Sequence, residues 1–364
     1  MPQTVWFSWK VSPEDSSSGR PLGEVLRRKG VSLRLVRRLK RTGGILVNGQ
    51  PTCTGYRLQP GDLVELVGDP AERFATGRSE TPEIPPVEPE AMPLHILYED
   101  EAILAVAKPA GMLTHPVKRE RAGTLSNGVA YHLLQELGTQ GDELRSQDHK
   151  PGTPDAGTGR DIIVHPVHRL DRETSGIVLF ARNPHAHHRL QEALDQGQVY
   201  KEYLALVTVV RRRSDGWLAP PASGTIDWPL ARVPGHSSRQ QVCVAGRPAR
   251  TEYRCLEVFP PYLALVAVHP VTGRTHQIRV HLAATGWPIL GDPLYGLGED
   301  ERTAGAATLP ADAGRAKTHT FQRMALHAWR LRFPHPTDRR EMILDAPLPD
   351  ELQHLLEALR STPR

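Results

Sequence analysis

Cysteine is nearly absent from this 364-residue chain. Cys53, Cys243 and Cys255 are far apart and odd in number, which excludes a disulfide framework and a CxxC zinc site. Long apolar runs are absent too. No stretch approaches the roughly 20 residues that a membrane helix requires, so no membrane partner is expected. The opening MPQTVWFSWK lacks the basic-then-apolar layout of a signal peptide, and a reducing cytoplasm is the expected location. Neither sign of charge dominates: Lys+Arg 45 against Asp+Glu 41 leaves +4, a weak pointer to an anionic partner until the charges are located. No repeat of fixed period occurs.

What is present is enough for a folded protein. Hydrophobic residues at 39% and charged residues at 24% exclude a wholly disordered chain. At about 150 residues per domain the length suggests two domains and a linker.

The basic charge is concentrated. Residues 20–42 hold nine Lys/Arg against one Glu. Leu22, Val25, Leu26 and then Leu33, Val36, Leu39 recur at helical spacing, which predicts two short amphipathic helices broken at Lys29-Gly30. Ile45–Val47 reads as a strand entering an Asn48-Gly49 turn, and Leu63–Leu66 as a second strand. A mixed-charge helix is ordinarily a solvated face. Here one sign prevails so strongly that nucleic-acid binding through Arg27, Arg28, Lys29, Arg34, Arg37, Arg38, Lys40 and Arg41 is expected.

Residues 77–93 carry five prolines and four glutamates and read as a stiff linker between a domain at 1–76 and a domain at 94–364. Polar stretches at 138–159 and 298–317 read as surface loops. In the larger domain, strands are expected at 102–107, 177–181, 200–210, 250–258, 262–269 and 342–345. Helices are expected at 125–137, 185–196, 276–284 and 350–359. Strands outnumber helices without alternating with them, so an α+β domain with a mainly antiparallel mixed sheet is favoured over a doubly wound fold.

The densest polar cluster is His168-Arg169-Leu170-Asp171-Arg172-Glu173-Thr174-Ser175-Gly176, ahead of the apolar run Ile177–Phe180. Positive neighbours favour an ionised Asp171, suited to nucleophilic or electrostatic work. A lone Asp in such a loop is more often a structural salt bridge.

The nonamer as a whole resembles the HRLDxxTSG signature of the RluA-type pseudouridine synthases. Other motifs follow in family order over about 240 residues. Tyr98–Glu101 through Ala107-Lys108-Pro109-Ala110-Gly111 and His115-Pro116 resembles the first motif, which Thr124–Asn127 continues. Tyr200–Val207 is similar to the K-x-Y-x-A-x-V strand, and Gly273–His281 to GRTHQIRVH, with Gly291-Asp292 and Tyr295-Gly296 after it. Arg323–Pro336 resembles the closing segment. Residues 20–67 resemble an S4 RNA-binding domain, a small α/β unit, although Ser32-Leu33 stands where a Ser-Arg pair is common.

The resemblance implies an isomerase that breaks the N1–C1′ bond of uridine and makes a C5–C1′ bond, with no cofactor and no metal. It implies Asp171 as the catalytic carboxylate, meeting either C1′ or C6, and Arg279 as its partner. It makes Tyr203 the aromatic that stacks on the base and handles a proton. Arg169 would fill the gap left by a flipped nucleotide, since chemistry on a base requires unstacking it. His168, Leu170, Arg172, Thr174, Lys108, Arg274, His276 and Gln277 are expected around the substrate. The implied partner is RNA, ribosomal RNA of the large subunit ahead of tRNA, bound by a monomer. The rival reading is a non-catalytic RNA-binding or ribosome-assembly protein that keeps the fold.

Weaker signals do not compete. His185, His187 and His188 lack a carboxylate or cysteine at metal-ligand spacing. Gly157-Thr158-Gly159 precedes an apolar run instead of following one, unlike a dinucleotide loop. Ser175 lacks a nucleophile-elbow context.

Overall fold

The structure is a computed structural model. It describes residues 4–13, 20–29, 31, 33–68, 87–117, 120–142, 164–209, 212–213, 216–217, 219–236, 238–260, 262–296 and 323–361.

The N-terminal unit forms as its periodicity predicts, with one addition. Helices α1 (Leu22–Arg28) and α2 (Leu33–Thr42) bury Leu22, Val25, Leu26, Leu35 and Leu39. They cover a sheet of β1 (Thr4–Lys10), β4 (Leu63–Gly68), β2 (Ile45–Val47) and β3 (Gln50–Pro51), in that spatial order and antiparallel throughout. Asn48 and Gly49 take φ of 53° and 76°, the left-handed pair that a two-residue hairpin turn requires. Strand β1 is not legible as alternation, because a bulge between Val5 and Phe7 turns the adjacent Trp6 and Phe7 both inward.

The linker expected over 77–93 is shorter than its composition suggests. Val87 is buried in the main core, the Glu88 carbonyl accepts from Asn127, and Glu90 accepts from the Gly123 amide. Residues 87–93 therefore belong to the larger domain, and 77–86 lie outside the described residues.

That domain is built on ten strands. β5 (His95–Glu99), β6 (Ile103–Lys108), β8 (Ser175–Ala181), β9 (Tyr200–Thr208), β15 (Arg250–Phe259), β16 (Leu263–Pro270) and β17 (Leu326–Pro334) form its body. Short β7 (His165–Pro166), edge strand β12 (Ser223–Asp227) and β18 (Glu341–Asp345) complete it. The spatial order is β12-β15-β16-β9-β17-β8-β6-β5, with β18 beside β17 and β7 beside β8. Every described pairing is antiparallel except β8 with β17. Two small hairpins lie outside this sheet: β10–β11 (Arg212–Arg213, Gly216–Trp217) and β13–β14 (Leu230–Arg232, Gln240–Val242). The helices are α3 (Leu125–Asp142), α4 (Pro184–Asp195), α5 (Gln277–Thr285) and α6 (Asp350–Arg360). The α+β class holds.

Helix α3 runs to Asp142, so the loop expected from 138 begins later. Residues 143–159 and 298–317 of the expected loops lie outside the described residues. The parallel join of β8 to β17 depends on Gly176. Its φ is +117°, and a Cβ there would sit 2.2 Å from the Ala328 carbonyl oxygen. Only glycine lets β17 close beside the strand that follows the nonamer.

Candidate active site

Residues 168–174 form the loop that enters β8, and the first motif holds this loop from below. Thr114 Oγ1 donates to the Leu170 carbonyl and accepts from the Leu170 amide, both at 3.1 Å. The Gly111 amide donates to the Arg172 carbonyl, and the Thr174 amide to the Asp171 carbonyl. Lys108 is 1% exposed and donates its three ammonium protons to the carbonyls of Pro109, Met112 and Arg172. Burial lowers its pKa to about 7. Lys108 therefore supports the loop from outside the pocket wall.

Asp171 projects into a pocket with Arg169, Leu170, Thr174, Lys201, Tyr203, Arg274, His276 and Arg279 on its walls. Arg279 comes from the first turns of α5, 108 positions away in sequence, and its Nη1 stands 3.3 Å from Asp171 Oδ2. The other edge of the guanidinium is fixed. Nε donates to Asp292 Oδ2 at 2.7 Å and Nη2 to Asp292 Oδ1 at 2.8 Å. Asp292 Oδ1 also accepts the amides of Leu294 and Tyr295. This two-pronged pair is nearly sealed from solvent, whereas the Asp171 side chain is 22% exposed. Arg279 lies 5.1 Å over the Tyr295 ring, and its pKa is raised because the two carboxylates outweigh burial.

His276 caps α5 with φ +54°, a left-handed conformation rare for a residue with a side chain. Its Nε2 is 3.8 Å from Asp171 Oδ2, and its Nδ1 is 2.9 Å from the Tyr295 hydroxyl. Tyr203 is 8% exposed, and burial together with the Asp171 charge raises its pKa, so the hydroxyl keeps its proton at neutral pH.

Several residues expected around the substrate make contacts within the protein, and of these Gln277 and Arg274 also line the pocket. Half-buried His168 accepts from the Leu179 amide, and burial lowers its pKa to about 3. Exposed Arg172 pairs with Glu120 and leaves the pocket. Gln277 is buried with both ends of its amide occupied: Oε1 accepts from Thr272 Oγ1 and the Arg274 amide, and Nε2 donates to the Arg250 carbonyl and Thr251 Oγ1. Arg274 keeps a place on the wall while donating to the Pro248 carbonyl. Lys201, Asp292 and Tyr295 were not expected at the site. Lys201 is two residues before Tyr203 on β9, hence on the same face. Its ammonium has no hydrogen-bond or ion-pair partner among the described residues, and burial lowers its pKa.

In the N-terminal unit, Arg37, Lys40 and Arg41 on α2 are exposed. Arg27 donates to the Gly23 carbonyl and Arg28 pairs with Glu24. Arg38 packs its guanidinium 5.0 Å over Trp6 and Lys29 lies 5.4 Å over Trp9, which ties both to the unit's own aromatic residues. The Arg34 side chain lies outside the described residues. Glu99, His132 and Glu136 come close enough to hold an ion, but Arg182 pairs with both glutamates and supplies the charge they need.

The family model described as RNA pseudouridylate synthase matches residues 102–284, which include the nonamer, Tyr203 and Arg279. A ribosomal large subunit pseudouridine synthase D of Nitrosomonas europaea is 37% identical over 275 residues, covering 75% of this chain and 67% of that one. An RNA pseudouridine synthase of Chlorobaculum parvum is 35% identical over 330 residues, covering 88% and 87%. Among solved structures, human RNA pseudouridylate synthase domain containing 4 is 25% identical with a TM-score of 0.48, over 74% of this chain and 95% of that one. With the motifs in order and the matched relatives at this level of identity, the chain belongs to the RluA-type RNA pseudouridine synthases, isomerases that convert uridine in RNA to pseudouridine.

Proposed function

We propose that the chain modifies specific uridines of structured RNA, ribosomal RNA of the large subunit foremost, with Asp171 as the catalytic carboxylate. The observation that carries this is the pairing of Asp171 with Arg279 in a pocket open to solvent, beside Tyr203. The reaction balances within the substrate. The N1–C1′ bond breaks, a C5–C1′ bond forms, the C5 proton leaves, and N1 gains a proton. Nothing is oxidised or reduced. Arg279, held by Asp292, fixes the carboxylate before reaction, which is the form of electrostatic preorganisation that costs no rearrangement later. Tyr203 offers a flat face for a flipped uracil, and Arg169, exposed and on the pocket wall, would occupy the vacated stack. The S4-like unit adds affinity through Arg37, Lys40 and Arg41.

Large-subunit ribosomal RNA is favoured because ribosomal large subunit pseudouridine synthase D is the name carried by the relative in Nitrosomonas europaea and by another in Xanthomonas campestris. The test is to map pseudouridines in total ribosomal RNA and tRNA from cells with and without the protein, and from cells carrying Asp171→Asn. Loss of the same large-subunit positions in the deletion and the Asn strain is expected. Loss confined to tRNA would move the substrate, and an intact map in the Asn strain would remove Asp171 from the chemistry.

A further inference from the structure

Both contacts to the Asp171 carboxylate fall on one oxygen. Arg279 Nη1 is 3.3 Å and His276 Nε2 is 3.8 Å from Oδ2, while Oδ1 has no hydrogen-bond or ion-pair partner among the described residues. The His276 ring is itself held from behind. Its Nδ1 lies 2.9 Å from the Tyr295 hydroxyl, and that hydroxyl oxygen accepts the Gln240 amide at 2.7 Å. With the amide donating to it, the hydroxyl is free to direct its own proton to Nδ1. The ring proton then sits on Nε2, toward Asp171.

We infer that His276 is a positioning residue for the reacting carboxylate: the Gln240–Tyr295–His276 chain presents an Nε2–H donor to Oδ2, which with Arg279 leaves Oδ1 as the oxygen that meets the substrate. This rests on the reading of Asp171 as the catalytic carboxylate and assigns His276 to the enzyme's own machinery instead of substrate binding. Three features agree with it. Burial lowers the His276 pKa against the opposing pull of Asp171, so the ring is neutral and one of its nitrogens accepts. A left-handed φ at a residue with a side chain is backbone strain, which the fold keeps where it fixes a functional geometry. The 3.8 Å separation is longer than a hydrogen bond, as contacts in substrate-free enzymes often are before they tighten in the complex. The chain also reaches from the β13–β14 hairpin to the nucleophile. Gln240 opens β14, and Arg239, next to it, is close enough to Tyr295 to lower its hydroxyl pKa slightly against the larger effect of burial.

Two measurements test the proposal on the full chain. The first uses ¹⁵N NMR of the histidine rings without RNA. His276 is expected as the Nε2–H tautomer in the wild type, and Tyr295→Phe, which keeps the ring over Arg279, is expected to lose that single tautomer. An Nδ1–H tautomer in the wild type would overturn the proposal whatever the substrate proves to be. The second compares His276→Gln with His276→Asn in steady-state tritium release from C5-labelled large-subunit ribosomal RNA transcript. Gln carries an amide nitrogen to the Nε2 position. Asn suits the left-handed backbone and can accept from Tyr295, but it stops short of Asp171. The Asn variant is expected to lose about tenfold to a hundredfold in kcat, the worth of a hydrogen bond to a charged group, with KM unchanged. The Gln variant is expected to recover most of that loss. Equal rates for the two would overturn the proposal, as would a loss expressed only in KM. Failure of the reading beneath it would show separately, as turnover by Asp171→Asn.

Discussion

Replacing Arg279 with lysine keeps the charge and removes the fork, which makes Arg279→Lys the sharpest test of the site. The guanidinium makes two bonds to Asp292, at 2.7 and 2.8 Å, and turns its remaining nitrogen to Asp171 at 3.3 Å. A single ammonium can stay with Asp292, so the buried pair survives and the roughly 3–5 kcal/mol cost of an unpaired buried charge is avoided. One of the two parallel bonds is lost, about 1.5–3 kcal/mol for a charged hydrogen bond. At about 2–4 °C per kcal/mol for a domain of some 150–250 residues, melting should fall by about 3–12 °C. Asp171 loses its fixed partner as well. Removing one preorganised donor from a reacting centre costs about 10²–10³ in rate, so single-turnover tritium release at saturating RNA should slow about a hundredfold or more, with RNA affinity little changed. Turnover within about tenfold of wild type, accompanied by the expected melting shift, would show that Asp171 needs only nearby positive charge.

Tyr203→Phe keeps the stacking face and removes a hydroxyl that burial holds protonated. RNA binding should be nearly normal and turnover at least about a hundredfold slower, and a Phe variant as fast as wild type would leave only stacking. Reversing Arg37, Lys40 and Arg41 to glutamate should weaken RNA binding and flatten its salt dependence by about one unit per lost phosphate contact, and an unchanged slope in filter binding would place the RNA elsewhere. His168 and His327 have pKa values lowered by burial to about 3 and about 4. Because the unfolded chain takes up protons below about pH 6.5 that these rings refuse, stability is full above that pH and falls as pH drops toward 4. Urea unfolding should show this slope, reduced by up to one proton in His327→Gln, and a slope equal to wild type in that variant would exclude His327 as a contributor.

Local pattern determined much of this protein. Leucines at helical spacing specify α1 and α2, Asn48-Gly49 specifies its turn, and the runs through Ile177–Phe180 and Tyr200–Val207 specify buried strands, because each signal depends only on neighbours along the chain. The resemblance of the motifs to one family placed Asp171, Tyr203 and Arg279 together, and the structure brings them to one pocket. Strand β1 escaped because a bulge breaks its alternation, and the linker appeared too long because the Pro/Glu-rich stretch 77–93 gives no local sign that Val87 packs in the core and Glu90 bonds the Gly123 amide.

The division of labour around Asp171 was decided only by tertiary structure. In sequence, Asp171 stands between Arg169 and Arg172, and both suggest its charge partner. In the fold, Arg172 turns away to Glu120, and Asp171 meets Arg279, the partner that the resemblance implied, and also His276, whose contact no sequence signal indicated. Lys108 and Gln277, expected around the substrate by resemblance, have their side-chain polar atoms engaged with backbone or neighbouring side chains, and His168 spends Nε2 on the Leu179 amide. Asp292 lies 13 residues beyond Arg279 and receives its fork. A residue type states which bonds a side chain is able to make, whereas the packing of distant segments decides which it makes.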